Sequence, residues 1–563
     1  MTLVDRRVGL LFAAFVGLLS LVLMRAVWVQ GINGSGLRAE AQSQQTESVV
    51  VPGSRGTIRD RNGKPLAVSE DAETVFATPY QVTDPEEVAH KLAKLIDGSS
   101  ETEILKSLAD RESGFAYLAR KVDLTTAQKI QELDLPGIGM LPDSRRIYPQ
   151  GELASQVIGS VGVDNQGLSG LEASEETVLH GTDGEREVTR DALGDELERD
   201  TIAGAKTGSD LKLSLDANIQ AEAERVLAGI GQKYQPAGAT AIVMDPRNSE
   251  VLAMANWPTY DPTEPGTADP DQLRNMATGF TYEPGSTFKA FTVAGALQDG
   301  VVTPDTTFPL GSSIQVADRT IEESHEGVSY GTLSVADILK YSSNIGAVTI
   351  GLELNGRFGS SQFGDRFDTW VRKFGFDAPT GIQFPGEERG IVIPPKDYSG
   401  STMGNLPIGQ GLSVTPMQMA AAYSAIASDG VLRTPRLILD ENGQPVDTGP
   451  SHRVVSPKTA EQLRTMLEGV FEAGGTAQAV SVPGYVLAGK TGTAQKVVDG
   501  TYSDTQFVAS FVGFAPAEDP QLLVAVVVDD PKGDYYGGTV AAPAFGDIVS
   551  YALPYLGIPP DQN

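Results

Sequence analysis

Residues Val8 to Met24 are 17 uncharged, almost wholly apolar positions in succession, close to the start of a 563-residue chain. Seventeen is near the lower limit for a helix that crosses a membrane. Ala26-Val27-Trp28-Val29 extends the run past Arg25, whose charge can snorkel to an interface where Trp28 is also at home. Arg6 and Arg7 precede the run, so the positive-inside rule keeps residues 1–7 in the cytoplasm and sends the rest outside. A cleaved signal peptide is the competing reading, but its cleavage-like small residues, Ala39-Glu40-Ala41, lie well beyond the apolar run. The sequence reads as one uncleaved anchor, residues 1–30, carrying a large outer portion.

That portion is too long for one ordinary core, and two or three domains are expected. The net charge is −30, from 73 acidic against 43 basic residues, which argues against nucleic acid or an anionic membrane surface as the main partner. Cysteine is absent, excluding disulfides, thiol catalysis and cysteine-ligated metals. His90, His180, His325 and His452 are far apart and form no H-E-x-x-H pattern, so no metal site is expected.

After a polar stalk from Gly31 to Glu47, Val49-Val50-Val51 reads as a strand, and Asn62-Gly63 is a hairpin turn signal. Helices are expected over 86–96, 102–108 and 125–133, and the charged stretch from Asp183 to Asp200 as an exposed hairpin. Arg145, Arg146 and Glu172 fall in segments with no catalytic pattern, either paired across a domain junction or solvated. A second regime begins near Leu211. It has a helix over 217–227, a hairpin of strands over 240–246 and 250–255, and helices near 335–339, 416–427 and 457–471. Strands over 486–493, 507–514 and 522–528 follow, then a final helix over 541–553. Helices massed between an early hairpin and late strands predict an α+β fold, an antiparallel sheet flanked by helices, rather than βαβ units. The division expected is 1–30 for tail and anchor, 31–210 for stalk and a non-catalytic, mostly β pedestal, and 211–563 for the catalytic domain.

Tyr282-Glu283-Pro284-Gly285-Ser286-Thr287-Phe288-Lys289 runs into the apolar positions of a buried helix. Ser286 and Lys289 are i and i+3 on one face. A hydroxyl beside an amine whose pKa burial can lower is a workable nucleophile and base. The pair alone is weak evidence, since S-x-x-K recurs by chance. Ser342-Ser343-Asn344 and Lys490-Thr491-Gly492-Thr493 complete a set in order. Separately, the former could be a helix cap and the latter an exposed turn. Taken together, Ser286 attacks a carbonyl, and its backbone N–H with that of Thr493 faces the oxyanion. Lys289 is the base. Ser342 and Lys490 relay a proton to the departing amine, and Asn344 holds the lysine and substrate amide. Thr491 and Thr493 suit a terminal carboxylate, Gly492 lies between them, and Lys490 adds positive field.

This set is the one carried by penicillin-binding proteins and class A β-lactamases. The chain resembles the class B, monofunctional penicillin-binding proteins, especially the division-type peptidoglycan D,D-transpeptidases. The resemblance covers nearly its whole length. Arg55-Gly56-x-Ile58-x-Asp60-Arg61-Asn62-Gly63-x-x-Leu66-Ala67, Arg146-x-Tyr148-Pro149 and Gly167-x-Ser169-Gly170-x-Glu172 look like segments of that family's pedestal. Gly409-Gln410-Gly411, with Thr415-Pro416-x-Gln418, and the segment from Pro531 to Gly538 fit its catalytic domain. The middle Ser-x-Asn is the family's form; an aspartate in the centre would be β-lactamase-like.

The resemblance implies stem peptides ending in D-alanyl-D-alanine as donors, an acyl-enzyme on Ser286, and resolution by an amine from another stem. It also implies covalent trapping by β-lactams, no cofactor, and a membrane anchor with the catalytic domain outside. Expected partners are a polytopic membrane glycosyltransferase and other division proteins, with Arg55, Arg61, Arg146 and Glu172 in the region that communicates with them. The alternatives are a D,D-carboxypeptidase or β-lactamase-like hydrolase, which needs a base for a deacylating water, and a non-enzymatic β-lactam sensor or scaffold.

Overall fold

The computed structural model describes residues 3–32, 46–96, 98–190, 196–324, 328–356 and 364–561. Most of the expected stalk, Ala39-Glu40-Ala41 and His325 lie outside them. The apolar run is a 25-residue helix, Leu3–Val27, about 37 Å long at 1.5 Å per residue and so longer than a hydrocarbon core of about 30 Å. A π-helical turn, Trp28–Ile32, continues it, and the Arg25 guanidinium lies 5.6 Å from the Trp28 ring centre. Leu10, Phe12, Leu18 and Leu21 have no protein cover, as suits side chains that face lipid. Among the described residues this is the one helix long and apolar enough to span.

The chain forms two compact units that do not follow chain order. One comprises Met1–Ser54, Glu70–Arg145 and Gly181–Gly208; the other comprises Arg55–Ser69, Arg146–His180 and Ser209–Asn563. In the first, Thr46–Val51 pairs antiparallel with Gly184–Arg190, which pairs with Glu196–Ala203, giving the expected charged hairpin. Residues 191–195 at its turn are not described. A second ladder joins Ala72–Ala77 to Ala116–Asp123. The three short helices are Pro85–Ala93, Glu101–Ser107 and Leu124–Gln131. Asp84, Ser100 and Asp123 cap them by accepting from backbone N–H groups of the first turn. They bury Val88, Leu92, Ile104 and Ile130 against Val75 and Val122.

The second unit is built on a five-stranded antiparallel sheet. In spatial order its strands are Glu250–Trp257, Gly238–Asp245, Leu522–Asp529, Thr501–Ala515 and Ala488–Val498. The early hairpin and the late strands thus form one sheet, with Val526 opposite Ala241. Alternation explains its uninterrupted apolar runs. Leu522, Val524, Val526 and Val528 pack with Ala217–Tyr234 and Gly537–Tyr555 on one face. Leu523, Ala525 and Val527 belong to the core on the other face, with the helices Lys289–Gln298 and Pro416–Ala427.

The helix expected to end at Leu227 continues to Tyr234. Gly229 and Gly231, both weak helix formers, lie in that extension. A Cβ on Gly231, however, would fall 2.2 Å from the Trp257 indole, so this glycine lets the helix seat on the sheet.

Arg55, Arg146 and Glu172 meet inside this unit. Glu172 Oε2 accepts from Arg55 Nε at 2.8 Å, and Oε1 from Arg146 Nε at 2.7 Å. All three are buried, and Arg55 also donates to the carbonyls of Asn165 and Glu172 and to Glu176. Arg61 donates to Glu250 at 3.3 Å, and Asn62 to Asp216 at 2.9 Å. Asp60 closes the Asn62-Gly63 turn by accepting from the Asn62 and Lys64 amides, and it also accepts from Ala217. The early motif therefore binds into the catalytic unit. Ile58–Arg59 even pairs in parallel with Leu211 and Lys212. This is the finding for the four residues expected in a partner-facing region: their charges are met from within.

Candidate active site

Pro284, at φ −69° and ψ −15°, leads into a 3₁₀ turn, Gly285–Phe288, and the helix proper starts at Lys289. At three residues per turn, i and i+3 still lie above one another, so Ser286 and Lys289 share a face although the helix begins later than expected. Gly285 has φ +54°, and a Cβ there would sit 3.3 Å from the Thr493 carbonyl. On Gly492 a Cβ would meet Ser510 Oγ at 2.3 Å and Thr287 at 2.9 Å. These two glycines bring the serine turn down onto Ala488–Val498, the free edge strand of the sheet. Gly409 clasps the turn from elsewhere by accepting from the Gly285 amide at 3.0 Å. Tyr423, buried beneath it, donates to the Thr287 carbonyl at 2.6 Å. Ser286 is half-buried at the top of this packed base.

Lys289 is fully buried. Its Nζ donates to the Ser342 carbonyl at 2.6 Å and Asn344 Oδ1 at 2.7 Å, and lies 3.3 Å from Ser342 Oγ. Burial brings its pKa down to about 7, opposed by the negative charge of Glu323. Ser342 reaches this position with φ +58°, between the helices Val335–Lys340 and Asn344–Gly356. The cap role falls to Ser343, whose Oγ accepts from the Gly346 amide at 3.0 Å. The middle motif therefore divides its labour: Ser343 caps, while Ser342 and Asn344 face the lysine.

Glu323 is the site residue that sequence reasoning missed. Its Oε1 accepts from Ser343 Oγ at 2.5 Å and its Oε2 from the Asn344 amide at 2.7 Å. Asn344 Nδ2 in turn donates to the Glu322 carbonyl at 2.9 Å. Only the buried Ile321 beside a run of two glutamates offered a signal, and that does not separate Glu323 from a solvated charge.

Lys490 is buried on the edge strand, its Nζ 3.3 Å from the Thr491 carbonyl. Burial depresses its pKa well below the ordinary lysine value, and the charge of Lys289 adds to the shift. Two lysines thus lie close enough to repel, which disfavours charging both. Thr491 Oγ1 is 2.7 Å from Thr476 Oγ1. Thr493 Oγ1 accepts from the Gly537 amide at 3.0 Å, leaving its hydroxyl proton available. Gly537 must be glycine here, because a Cβ would fall 2.2 Å from the Gly492 carbonyl. The arrangement offers a serine on a rigid turn, a buried amine able to be neutral near pH 7, a second hydroxyl in contact with that amine, and an edge strand carrying a lysine and two threonines. Such a site can carry out acyl transfer through a covalent serine ester.

A family model described as the penicillin binding protein transpeptidase domain matches residues 239–550, and one described as the penicillin-binding protein dimerisation domain matches residues 50–213. Stage V sporulation protein D of Bacillus subtilis (strain 168) is 37% identical over 99% of this chain and 87% of its own length. The peptidoglycan D,D-transpeptidase FtsI of Escherichia coli (strain K12) is 33% identical over 99% and 92%. Among solved structures, penicillin binding protein 3 from Mycobacterium tuberculosis, complexed with aztreonam, superposes with a TM-score of 0.70 at 29% identity, covering 91% of this chain and 98% of that one.

Proposed function

The chain belongs to the class B penicillin-binding proteins, as a division-type serine D,D-transpeptidase of peptidoglycan, and on that premise we propose which residues carry the reaction. Its substrates are stem peptides, and β-lactams inhibit it. In acylation, Ser286 Oγ bonds to the carbonyl carbon of the penultimate D-alanine. Lys289, in its neutral form, takes the serine proton. The C–N bond to the last D-alanine breaks, and Ser342, linked to Lys289, passes a proton to the leaving amine. The donor's terminal carboxylate binds Thr491 and Thr493 beside Lys490, and its arrival restores the positive charge that burial disfavours there. Backbone N–H groups of Ser286 and Thr493 meet the oxyanion. An amine from a second stem then attacks the ester, the new amide forms, and Ser286 recovers its proton.

The observation that carries this reading is the Lys289 contact set, with Ser342 and Asn344 at 2.6–3.3 Å from one buried amine. Resolution by an amine rather than water is supported by Glu323. Both of its oxygens are engaged by Ser343 and Asn344, so it is not set to activate a deacylating water.

We further assign residues 1–7 to the cytoplasm, on Arg6 and Arg7, and the catalytic unit to the outer side of the membrane. A polytopic membrane glycosyltransferase and other division proteins are the proposed partners, and the septum the proposed site of work. Residues 1–30, 31–210 and 211–563 remain the proposed domains, with 55–69 and 146–180 contributing to the core of the last. The test is the purified membrane complex of this protein with its polymerase, supplied with lipid-linked substrate. Cross-linked dimers should form, and Ser286→Ala should leave uncross-linked polymer. Release of D-alanine without dimers would identify a hydrolase instead.

A further inference from the structure

The helices Ala217–Tyr234 and Gly537–Tyr555 lie together over one face of the sheet, and the reaction uses none of their outer surface. Thr539, Pro543, Asp547, Tyr551 and Tyr555 recur every four residues and are all exposed. They form one stripe, about 24 Å long at 1.5 Å per residue. Asn218, Arg225, Gly229 and Lys233 make the opposite bank. At one end the two banks enclose a notch of about 210 Å³ over Val226, Ile230, Val540 and Ala544. Gly229 keeps it open, since a Cβ there would meet nothing within 4 Å. Pro543 has no N–H for the Thr539 carbonyl, which accepts from Tyr234 instead at 3.2 Å. At the other end the Tyr551 and Tyr555 rings lie 5.7 Å apart and 13° from parallel, 38% and 40% exposed. Tyr555 is fixed there, accepting from Asn218 Nδ2 at 2.9 Å and donating to Asp216 at 3.2 Å.

Charge and chemistry say what such a groove takes. The cations Arg225 and Lys233 are balanced by Asp547 and by Glu222, which holds Arg225 at 2.6 Å. No net field is left to select a polyanion, a polycation or an anionic lipid. Rigid aromatic faces beside amide, hydroxyl and carboxylate groups fit a neutral polyol. Its C–H face stacks on the rings, and its hydroxyls both donate and accept. The apolar notch beside them suits the methyl of an N-acetyl group. The stripe begins two residues after Gly537, whose amide donates to Thr493 at 3.0 Å, so the groove starts within a helical turn of the carboxylate anchor. The stem peptides that react there are carried on a glycan. We propose that this groove binds the N-acetylated glycan strand of the wall polymer, with sugar rings on Tyr551 and Tyr555 and an N-acetyl group in the notch at Gly229. The choice of a glycan rests on the transpeptidase reading above.

The test treats the full-length enzyme in detergent with benzylpenicillin, so that Ser286 is blocked. The sample is then co-sedimented with sacculi whose stem peptides an amidase has removed. The enzyme should pellet with this bare glycan equally at low and high salt, and an oligomer of N-acetylglucosamine should displace it. Tyr551→Ala should weaken binding about tenfold or more, whereas Tyr551→Phe, which keeps the ring, should stay within about twofold. Gly229→Leu fills the notch without a clash and should also cost about tenfold. Both sites lie outside the catalytic machinery, so every variant should still be acylated at the wild-type rate, which shows that it is folded. Failure of the wild type to pellet, binding that salt abolishes, or binding that neither Tyr551→Ala nor Gly229→Leu weakens would overturn the groove. An absent adduct on Ser286 would instead sink the transpeptidase reading, and with it the reason for choosing a glycan.

Discussion

Lys289 donates to Asn344 Oδ1 across 2.7 Å from within the protein interior. Its second short contact is the Ser342 carbonyl at 2.6 Å. A neutral amine has two N–H bonds and one lone pair. These two acceptors use both bonds and leave the lone pair directed elsewhere, which is the state a general base requires. Held as an ammonium, the group would have a third donor with only Ser342 Oγ, at 3.3 Å, to receive it.

The first expectation follows from that protonation state. With its pKa lowered to about 7 by burial, Lys289 is protonated and inactive below that pH and neutral above it. The acylation rate constant should therefore rise through about pH 7 and level off, losing roughly tenfold per pH unit on the acid side. Lys289→Arg keeps a cation that does not deprotonate near neutrality and should lower acylation a hundredfold or more. Stopped-flow with a fluorescent penicillin measures both; near wild-type acylation by the arginine variant would refute the base.

Glu323 tunes that base as well as anchoring its neighbours. Its negative charge raises the Lys289 pKa against the larger effect of burial; Tyr330 is the further titratable group that feels it. Glu323→Gln should move the acid limb of the acylation profile to lower pH, because removing the carboxylate favours the neutral amine. Glu323→Ala removes the acceptors of Ser343 and Asn344 and should cost about ten- to hundredfold in acylation at pH 8, or about 1.4–2.8 kcal/mol. A glutamine profile that superposes on the wild type would remove Glu323 from the site's electrostatics.

The buried Glu172 should behave quite differently from a surface charge. Glu172→Ala leaves Arg55 and Arg146 buried without their shared partner, a loss of about 3–5 kcal/mol. Thermal unfolding of the catalytic unit should register it plainly, whereas an exposed ion pair contributes about 0–1 kcal/mol. An unchanged melting temperature would mean that the two arginines find other acceptors.

Much of this was legible because local rules agreed with the fold. The helix Pro416–Ala427 coincides with its expected span: Thr415 caps it, Gln418 closes the box, and Pro416 occupies the first turn. Strand Leu522–Asp529 was recognisable from an apolar run buried on both faces. Its place beside Gly238–Asp245 was not, since pairing across nearly 280 residues leaves no local trace. Ser286, Lys289, Ser342 and Lys490 stood out because three motifs fell in order. Glu323 did not, because its importance lies in the amide of Asn344 and the hydroxyl of Ser343 that it faces. The pairing of Arg61 with Glu250 was hidden for the same reason, and a charge in a motif looked like a charge for a partner.

The most direct measurement of the central claim is intact-mass analysis after incubation with benzylpenicillin, followed by peptide mapping. One adduct per chain is expected on Ser286 and none in Ser286→Ala. An unmodified wild-type protein, or an adduct carried by Ser342 instead, would contradict the assignment of Ser286 as the nucleophile.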